Sequence, residues 1–323
     1  MPTAVQVRQT GGPEVLEAGE VEVGDPGQGQ LLIEVAAAGV NYIDTYQRSG
    51  LYPLDLPTVL GLEGAGSVVA VGEGVTDFSA GDRVAWQGVP GSYAQRVLVP
   101  AASAVRVPDG VTDEVAAATL LQGITAHYLA ASTHPVQDGD TVLVHAAAGG
   151  VGLLLTQLAK ARGARVIGTV STAEKESLAR EAGADEVIRY TETDFAERTR
   201  ELTEGDGVAA VYDGVGQSTF DGSLASLRPR GVLALFGAAS GPVPPVDPQR
   251  LNAAGSVYLT RPSIGAYTRT REELDWRAGE LFGAITEGTL KIRIGGTYPL
   301  AEARRAHEDL EGRRTTGKLL LLP

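Results

Sequence analysis

The sequence of 323 residues contains no cysteine, which removes disulfides, thiolate metal ligands, cysteine nucleophiles and CxxC redox chemistry together. Any catalysis runs without sulfur. Basic residues are in deficit: 27 Lys and Arg against 40 Asp and Glu leave a formal net charge of −13. A chain this acidic repels phosphate backbones and anionic membrane surfaces, so nucleic acid is not an expected partner. No apolar run reaches the roughly 18 residues of a membrane span, and the leading MPTAVQVRQTGGPEV has no apolar signal region. What remains is an expectation of a cytoplasmic enzyme. With 43% hydrophobic and 21% charged residues the chain can bury a sizeable core, and its length suggests two domains.

Other absences narrow the chemistry. His127, His134, His145 and His307 form no HxxxH or HxH pair, so no metal site is expected. His145, inside an apolar strand pattern, reads as a core residue with internal partners. There is no G-x-S-x-G elbow and no P-loop, which leaves hydrolase and kinase readings without support. The mixed-sign stretch RRAHEDLEGRR reads as a solvated helix face.

Up to about residue 110 the apolar segments are short, Val-rich and punctuated by Gly or Pro, as in QLLIEVAAAGV, GSVVAVGEGV and YAQRVLVP, the spacing of a compact β unit. From Val111 the pattern changes: TDEVAAATLLQGITAHYLAAS opens on a Thr/Asp cap signal and continues as a long Ala/Leu helix pattern. Apolar runs (TVLVHA, ARVIGTV, DEVIRY, AAVYDGV, GVLALFGAA, SVYLT) then alternate with helix-length segments, the signature of βαβ units and a parallel sheet. The expected organisation is a β-rich domain of residues 1–123, completed by 263–323, and a doubly wound α/β domain of residues 124–262.

The sharpest motif is TVLVHAAAGGVGLLLTQLAK, an apolar strand that turns through Ala147, Ala148, Gly149, Gly150, Val151 and Gly152 directly into a helix. This is the Rossmann dinucleotide fingerprint with Ala147 at its first glycine position. Small residues let the backbone approach a pyrophosphate at the helix N-terminus, and Gly152 lets helix and strand pack closely. At the end of the second strand an NAD site carries a carboxylate for the ribose. Here Ser171 and Thr172 stand there, with Lys175 just downstream, which favours the 2′-phosphate of NADPH.

With these residues in view, the chain resembles the medium-chain dehydrogenase/reductase superfamily. Within it the resemblance is to the zinc-free, NADPH-dependent quinone oxidoreductases, the zeta-crystallin group. GGPEVL, NYIDTYQRSGLYP, GLEGAG, GDRVAW, HAAAGGVGLLLTQLAK, TRPS, TREEL and RAHEDLE carry it nearly end to end. The resemblance implies an α/β fold in which the Rossmann domain is joined by a GroES-like catalytic domain. Where zinc relatives hold a ligating Cys and His, this chain has Asn41 and Leu62. With those ligands gone, catalytic zinc is not expected, and a ready hydride acceptor such as a quinone fits better than an alcohol.

The resemblance places Asn41, Asp44, Tyr46 and Tyr52 on the substrate side, with Asn41 bonding a quinone oxygen. Either tyrosine, or solvent, could supply the proton. It also gives Thr125, in the QGIT turn, to the nicotinamide half of the cofactor, and Lys175, Tyr190 and Arg313 to the adenosine and its phosphate. Phe236, Gly237 and Ser240 follow a strand at the end where Rossmann ligands bind. Glu63 reads as a buried structural carboxylate. An enone reductase shares fold and cofactor and is the alternative; a noncatalytic NADPH-binding protein, crystallin-like or RNA-binding, is the alternative of another class. The edge strand near Ser256–Thr260 is expected to pair two copies into a homodimer.

Overall fold

A computed structural model describes residues 1–323. Its internal contacts divide the chain into two units, Met1–Ile124 with Thr268–Pro323, and Thr125–Tyr267.

The first unit is built around the strand Gln30–Val40, whose Leu31, Ile33 and Val35 alternate toward one apolar face. One flank pairs antiparallel with Glu63–Val71. The other is shared: Arg96–Pro100 pairs with its first half and the chain-terminal strand Lys318–Leu322 with Ala38, Gly39 and Val40. The tail is thus part of the central sheet, seven-stranded with Ile294–Pro299 at one edge. Val5, Ile33, Trp86, Tyr93, Leu300 and Leu321 belong to one core beneath it. Glycine is required where backbones touch: a methyl group on Gly72 would fall 1.8 Å from the Gly27 carbonyl oxygen.

In the second unit six parallel strands stand in the order Glu186–Arg189, Arg165–Val170, Thr141–Val144, Val208–Asp213, Leu227–Leu235, Tyr258–Thr260. Numbered along the chain this is 3-2-1-4-5-6, the doubly wound Rossmann order, with its switch point between Thr141–Val144 and Val208–Asp213. Val208–Asp213 is buried throughout, as a parallel strand covered on both faces must be. Tyr258–Thr260 forms one edge of the sheet, with Tyr258 exposed.

The expected long helix after Val111 is interrupted. Thr112 caps Asp113–Ala117, and a separate helix, Leu120–Tyr128, follows. The break has a local cause: Thr119 turns its hydroxyl back to the Val115 carbonyl (2.6 Å), and the Leu121 N–H donates to Glu63 Oε2 (2.8 Å) rather than continuing the helix. Thr125 therefore lies inside a helix and not in a turn.

Candidate active site

In the second unit the strand Thr141–Val144 passes into the helix Gly150–Ala161 through the predicted turn. Ala146 takes a left-handed conformation (φ 50°), and its carbonyl accepts the Gly149 N–H at 2.8 Å. A methyl on Gly152 would lie 2.3 Å from that carbonyl oxygen, so only glycine lets the helix begin here. Gly149 is the N-cap and no side chain caps the first turn. The amide dipoles of Gly150, Val151 and Gly152 thus form a positive helix end suited to a pyrophosphate, and the residues fit NADPH.

Ser171 and Lys175 flank the start of the helix Ala173–Glu181, where Thr172 accepts the Lys175 N–H (3.3 Å). The Ser171 carbonyl accepts from the Thr191 hydroxyl, and the Tyr190 N–H donates to Val170, so Ser171, Lys175 and exposed Tyr190 gather at the ends of adjacent strands. After the fifth strand, Phe236 N–H donates to the Asp213 carbonyl (2.8 Å), and the Ser240 hydroxyl donates to Val215 (2.9 Å). A methyl on Gly237 would lie 2.3 Å from the Gly214 oxygen. Phe236, Gly237 and Ser240 are therefore one assembly with the turn after Asp213. Arg313 belongs to the first unit, exposed after the helix Ala303–Glu311, and Thr125 is buried at the start of the second.

In the first unit Asn41 caps the helix Tyr42–Ser49, which Gly50 ends at φ 84°. Tyr46 stands on this helix and Tyr52 follows it; their rings meet edge to face at 5.4 Å, and the Tyr52 N–H donates to the Tyr46 carbonyl. Asn41 and Asp44, expected on the substrate side, both have partners within the first unit. Asn41 Nδ2 donates to Glu63 Oε1 (2.7 Å) and to the Gly39 carbonyl (3.4 Å). Its Oδ1 accepts from Lys318 (2.8 Å) and Gln122 (3.2 Å). With both amide hydrogens engaged, Asn41 positions the helix start. Asp44 is 0% exposed; its Oδ2 accepts the Asn41 N–H (2.8 Å) and the Tyr93 hydroxyl (2.8 Å), while Oδ1 has no partner. Burial pushes its pKa up to about 7, against the pull of those hydrogen bonds.

Two clusters were not apparent from sequence. The first is the ion pair of Lys318 with Glu63, side chains 2% and 0% exposed, which Asn41 completes. Glu63 Oε2 holds Leu121, so the carboxylate is structural, as the sequence suggested. Gly39 makes the room: a methyl there would lie 2.4 Å from Glu63 Oε1 and 2.6 Å from Lys318 Cε. The only sequence signal was a lone lysine heading the run KLLLL. The second is a chain of side chains behind Asp44. Arg48, paired with Glu311, donates to His307 Nδ1 (3.1 Å), leaving Nε2–H to donate to Tyr93 (3.2 Å), which donates to Asp44. Burial holds His307 down to about 3, so the imidazole is neutral. The segment read as a solvated face therefore buries Ala306 and His307, because its charges lie on the other side of the helix.

Residues 27–109 match the family described as alcohol dehydrogenase GroES-like domain, and residues 150–278 the family described as zinc-binding dehydrogenase. A quinone oxidoreductase of Pseudomonas aeruginosa is 48% identical, with 100% of each chain covered. A mycobacterial structure complexed with NADPH shares 60% identity and superposes with a TM-score of 0.97, covering 99% of this chain and 100% of its own. A 2-haloacrylate reductase from a Burkholderia species is 44% identical over 100% of this chain and 99% of its own. In this chain no three His, Asp or Glu side chains gather into a group that could hold a metal.

Both tryptophans, Trp86 and Trp276, lie in the first unit, so tryptophan fluorescence in urea reports its unfolding. Lys318→Met leaves Glu63 buried and uncompensated and is expected to cost about 3–5 kcal/mol, most of which Glu63→Gln added to it recovers. Equal midpoints for the single and double variants would contradict the pairing. Asp44→Asn keeps both accepted bonds and removes the charge. Because the folded carboxyl holds its proton up to about 7, well above its unfolded value, wild-type stability declines as pH rises from about 4 to about 7. The variant lacks that decline, so its urea midpoint should gain on wild type across this window and stay level above it; a gap that is the same at pH 5 and pH 8 would count against the raised pKa.

Proposed function

We infer the activity from membership: this chain belongs to the quinone oxidoreductase family within the medium-chain dehydrogenase/reductase superfamily. It is an NADPH-dependent oxidoreductase that passes reducing equivalents to a quinone. The observation that carries this reading is the full-length match to a quinone oxidoreductase together with the uncapped, glycine-bounded helix start at the Rossmann switch point.

NADPH, when bound, supplies the hydride. The chain's own residues bind and orient. The amides of Gly149 to Gly152 and Ala148 take the pyrophosphate, Ser171 and Lys175 the 2′-phosphate, and Tyr190 the adenosine. Thr125, Phe236, Gly237 and Ser240 complete the cofactor grip, and Arg313 adds positive charge for the phosphate. On the substrate side Tyr46 and Tyr52 supply flat ring faces and phenolic groups for a planar acceptor, and either tyrosine or solvent gives the proton. Asn41 and Asp44 position the helix that carries Tyr46. Asn41 and Leu62 at the two ligand positions of the zinc relatives support a zinc-independent reaction. A second reading, reduction of an activated carbon–carbon double bond, is favoured by the similarity to the 2-haloacrylate reductase.

The exposed edge strand Tyr258–Thr260 supports a homodimer in which two sheets join edge to edge. Composition and cofactor support a cytoplasmic location, and no helix is long and apolar enough to cross a membrane.

With 1,4-benzoquinone or 9,10-phenanthrenequinone as acceptor, absorbance at 340 nm should report consumption of NADPH in marked preference to NADH, unchanged after EDTA. Lys175→Ala should erode the preference by raising KM for NADPH alone, and Tyr46→Ala or Tyr52→Ala should raise KM for the quinone; turnover of 2-haloacrylate but of neither quinone would transfer the assignment to the second reading. Sedimentation of the chain at a single-chain mass would remove the dimer.

A further inference from the structure

We propose that His145 is a positioning residue for the NADPH site: with Thr169, Ser223 and Asp213 it forms a one-way hydrogen-bond rail that fixes the turns ending three neighbouring Rossmann strands. The proposal rests on the NADPH reading of those turns.

The backbone places His145 at their junction. It follows the central strand Thr141–Val144, its N–H donates to the Tyr212 carbonyl on one side (3.1 Å), and Ala147, two residues on, donates to Thr169 on the other (3.1 Å). The side chain repeats this bridge. Nδ1 lies 2.9 Å from Thr169 Oγ1 and Nε2 lies 2.9 Å from Ser223 Oγ. The Ser223 hydroxyl is 2.7 Å from Asp213 Oδ2.

The direction follows from the last link. Asp213 takes donors on both oxygens, the Ser223 hydroxyl among them, so the Ser223 oxygen is left to accept from Nε2–H. The imidazole carries its one hydrogen on Nε2, and Nδ1 accepts from the Thr169 hydroxyl. Burial keeps the ring neutral despite the attraction of the Asp213 charge, and the Phe195 ring closes over it edge to face at 4.7 Å.

Asp213 transmits the hold. Its Oδ1 accepts the N–H groups of Val215 (2.8 Å) and Gly216 (3.0 Å), and Thr219 caps the carboxylate. This pins the turn whose Gly216 sits at φ 94° and against which Gly237 packs. One imidazole thus joins the glycine-rich turn that begins beside it, the segment leading to Ser171, and the turn beside Phe236 and Gly237. A histidine that merely filled core volume would be replaceable by leucine without effect on the cofactor.

The test uses the full chain. In the protein without NADPH, 15N NMR of the imidazole at pH 7 should show the neutral Nε2–H tautomer. His145→Leu should raise the Kd for NADPH, read by nicotinamide fluorescence, about tenfold or more, the equivalent of one buried hydrogen bond left unmade. It should leave the quinone KM unchanged and speed amide exchange at Val215 and Gly216; His145→Gln should restore much of the affinity. If the leucine variant does not fold, Ser223→Ala and Thr169→Val each cut one link and carry the same expectation. A Kd within twofold of wild type in a folded variant, or an Nδ1–H or protonated ring, overturns the proposal. Failure of the wild-type chain to bind NADPH would instead count against the cofactor reading, with the tautomer and amide exchange still deciding the rail.

Discussion

Two opposite charges buried without water are tolerated only if each finds the other and the remaining polar atoms are satisfied. Lys318 and Glu63 meet that condition, and much of the first unit is arranged around it. Gly39 gives up its side chain to admit them, Asn41 lends both ends of its amide, and Leu121 breaks from helical pairing to hold the second carboxylate oxygen. The interrupted helix and the fixed cap of Tyr42–Ser49 are both consequences of one ion pair. The Lys318 ammonium thus bonds both members of this arrangement, Glu63 and Asn41.

Both units solve a second problem alike. A buried imidazole is costly if charged and useful if neutral, because its two nitrogens then differ and can pass a hydrogen-bond direction from one element to the next. His307 carries the direction from Arg48 to Asp44, and His145 from Thr169 toward Asp213. In each case the line ends on a buried aspartate that accepts backbone N–H groups at a turn or cap. The two aspartates differ in their partners: Asp213 has donors on both oxygens, whereas Asp44 has one oxygen unpartnered, and burial raises its pKa.

The Rossmann strands, the turn at Ala147–Gly152 and the return of the tail to the β-rich unit were legible because each leaves a local mark: a run of apolar residues, a cluster of small ones, a closing strand of leucines. The pairings of Lys318, Tyr93 and His307 left none, since their partners lie 255, 49 and 259 positions away along the chain. Asn41 and Asp44 stand out in sequence by their residue types, which suit a substrate contact and a buried cap equally; their contacts to Lys318 and Tyr93 leave no mark there. The broken helix was hidden for a related reason, because the competing acceptor for Leu121 is a carboxylate 58 residues earlier.

The first unit is discontinuous in the chain, and this bears on its synthesis. Residues 125–267 are contiguous and can complete their sheet while the ribosome is still at work. The first 124 residues cannot: their central strand lacks a neighbour, and Glu63 lacks its counter-charge, until Lys318–Leu322, whose lysine lies 255 residues after Glu63, has been made. The β-rich unit thus starts before the nucleotide fold and is finished after it, and a chain cut just before Lys318 carries a complete nucleotide fold attached to an open, uncompensated β-sheet.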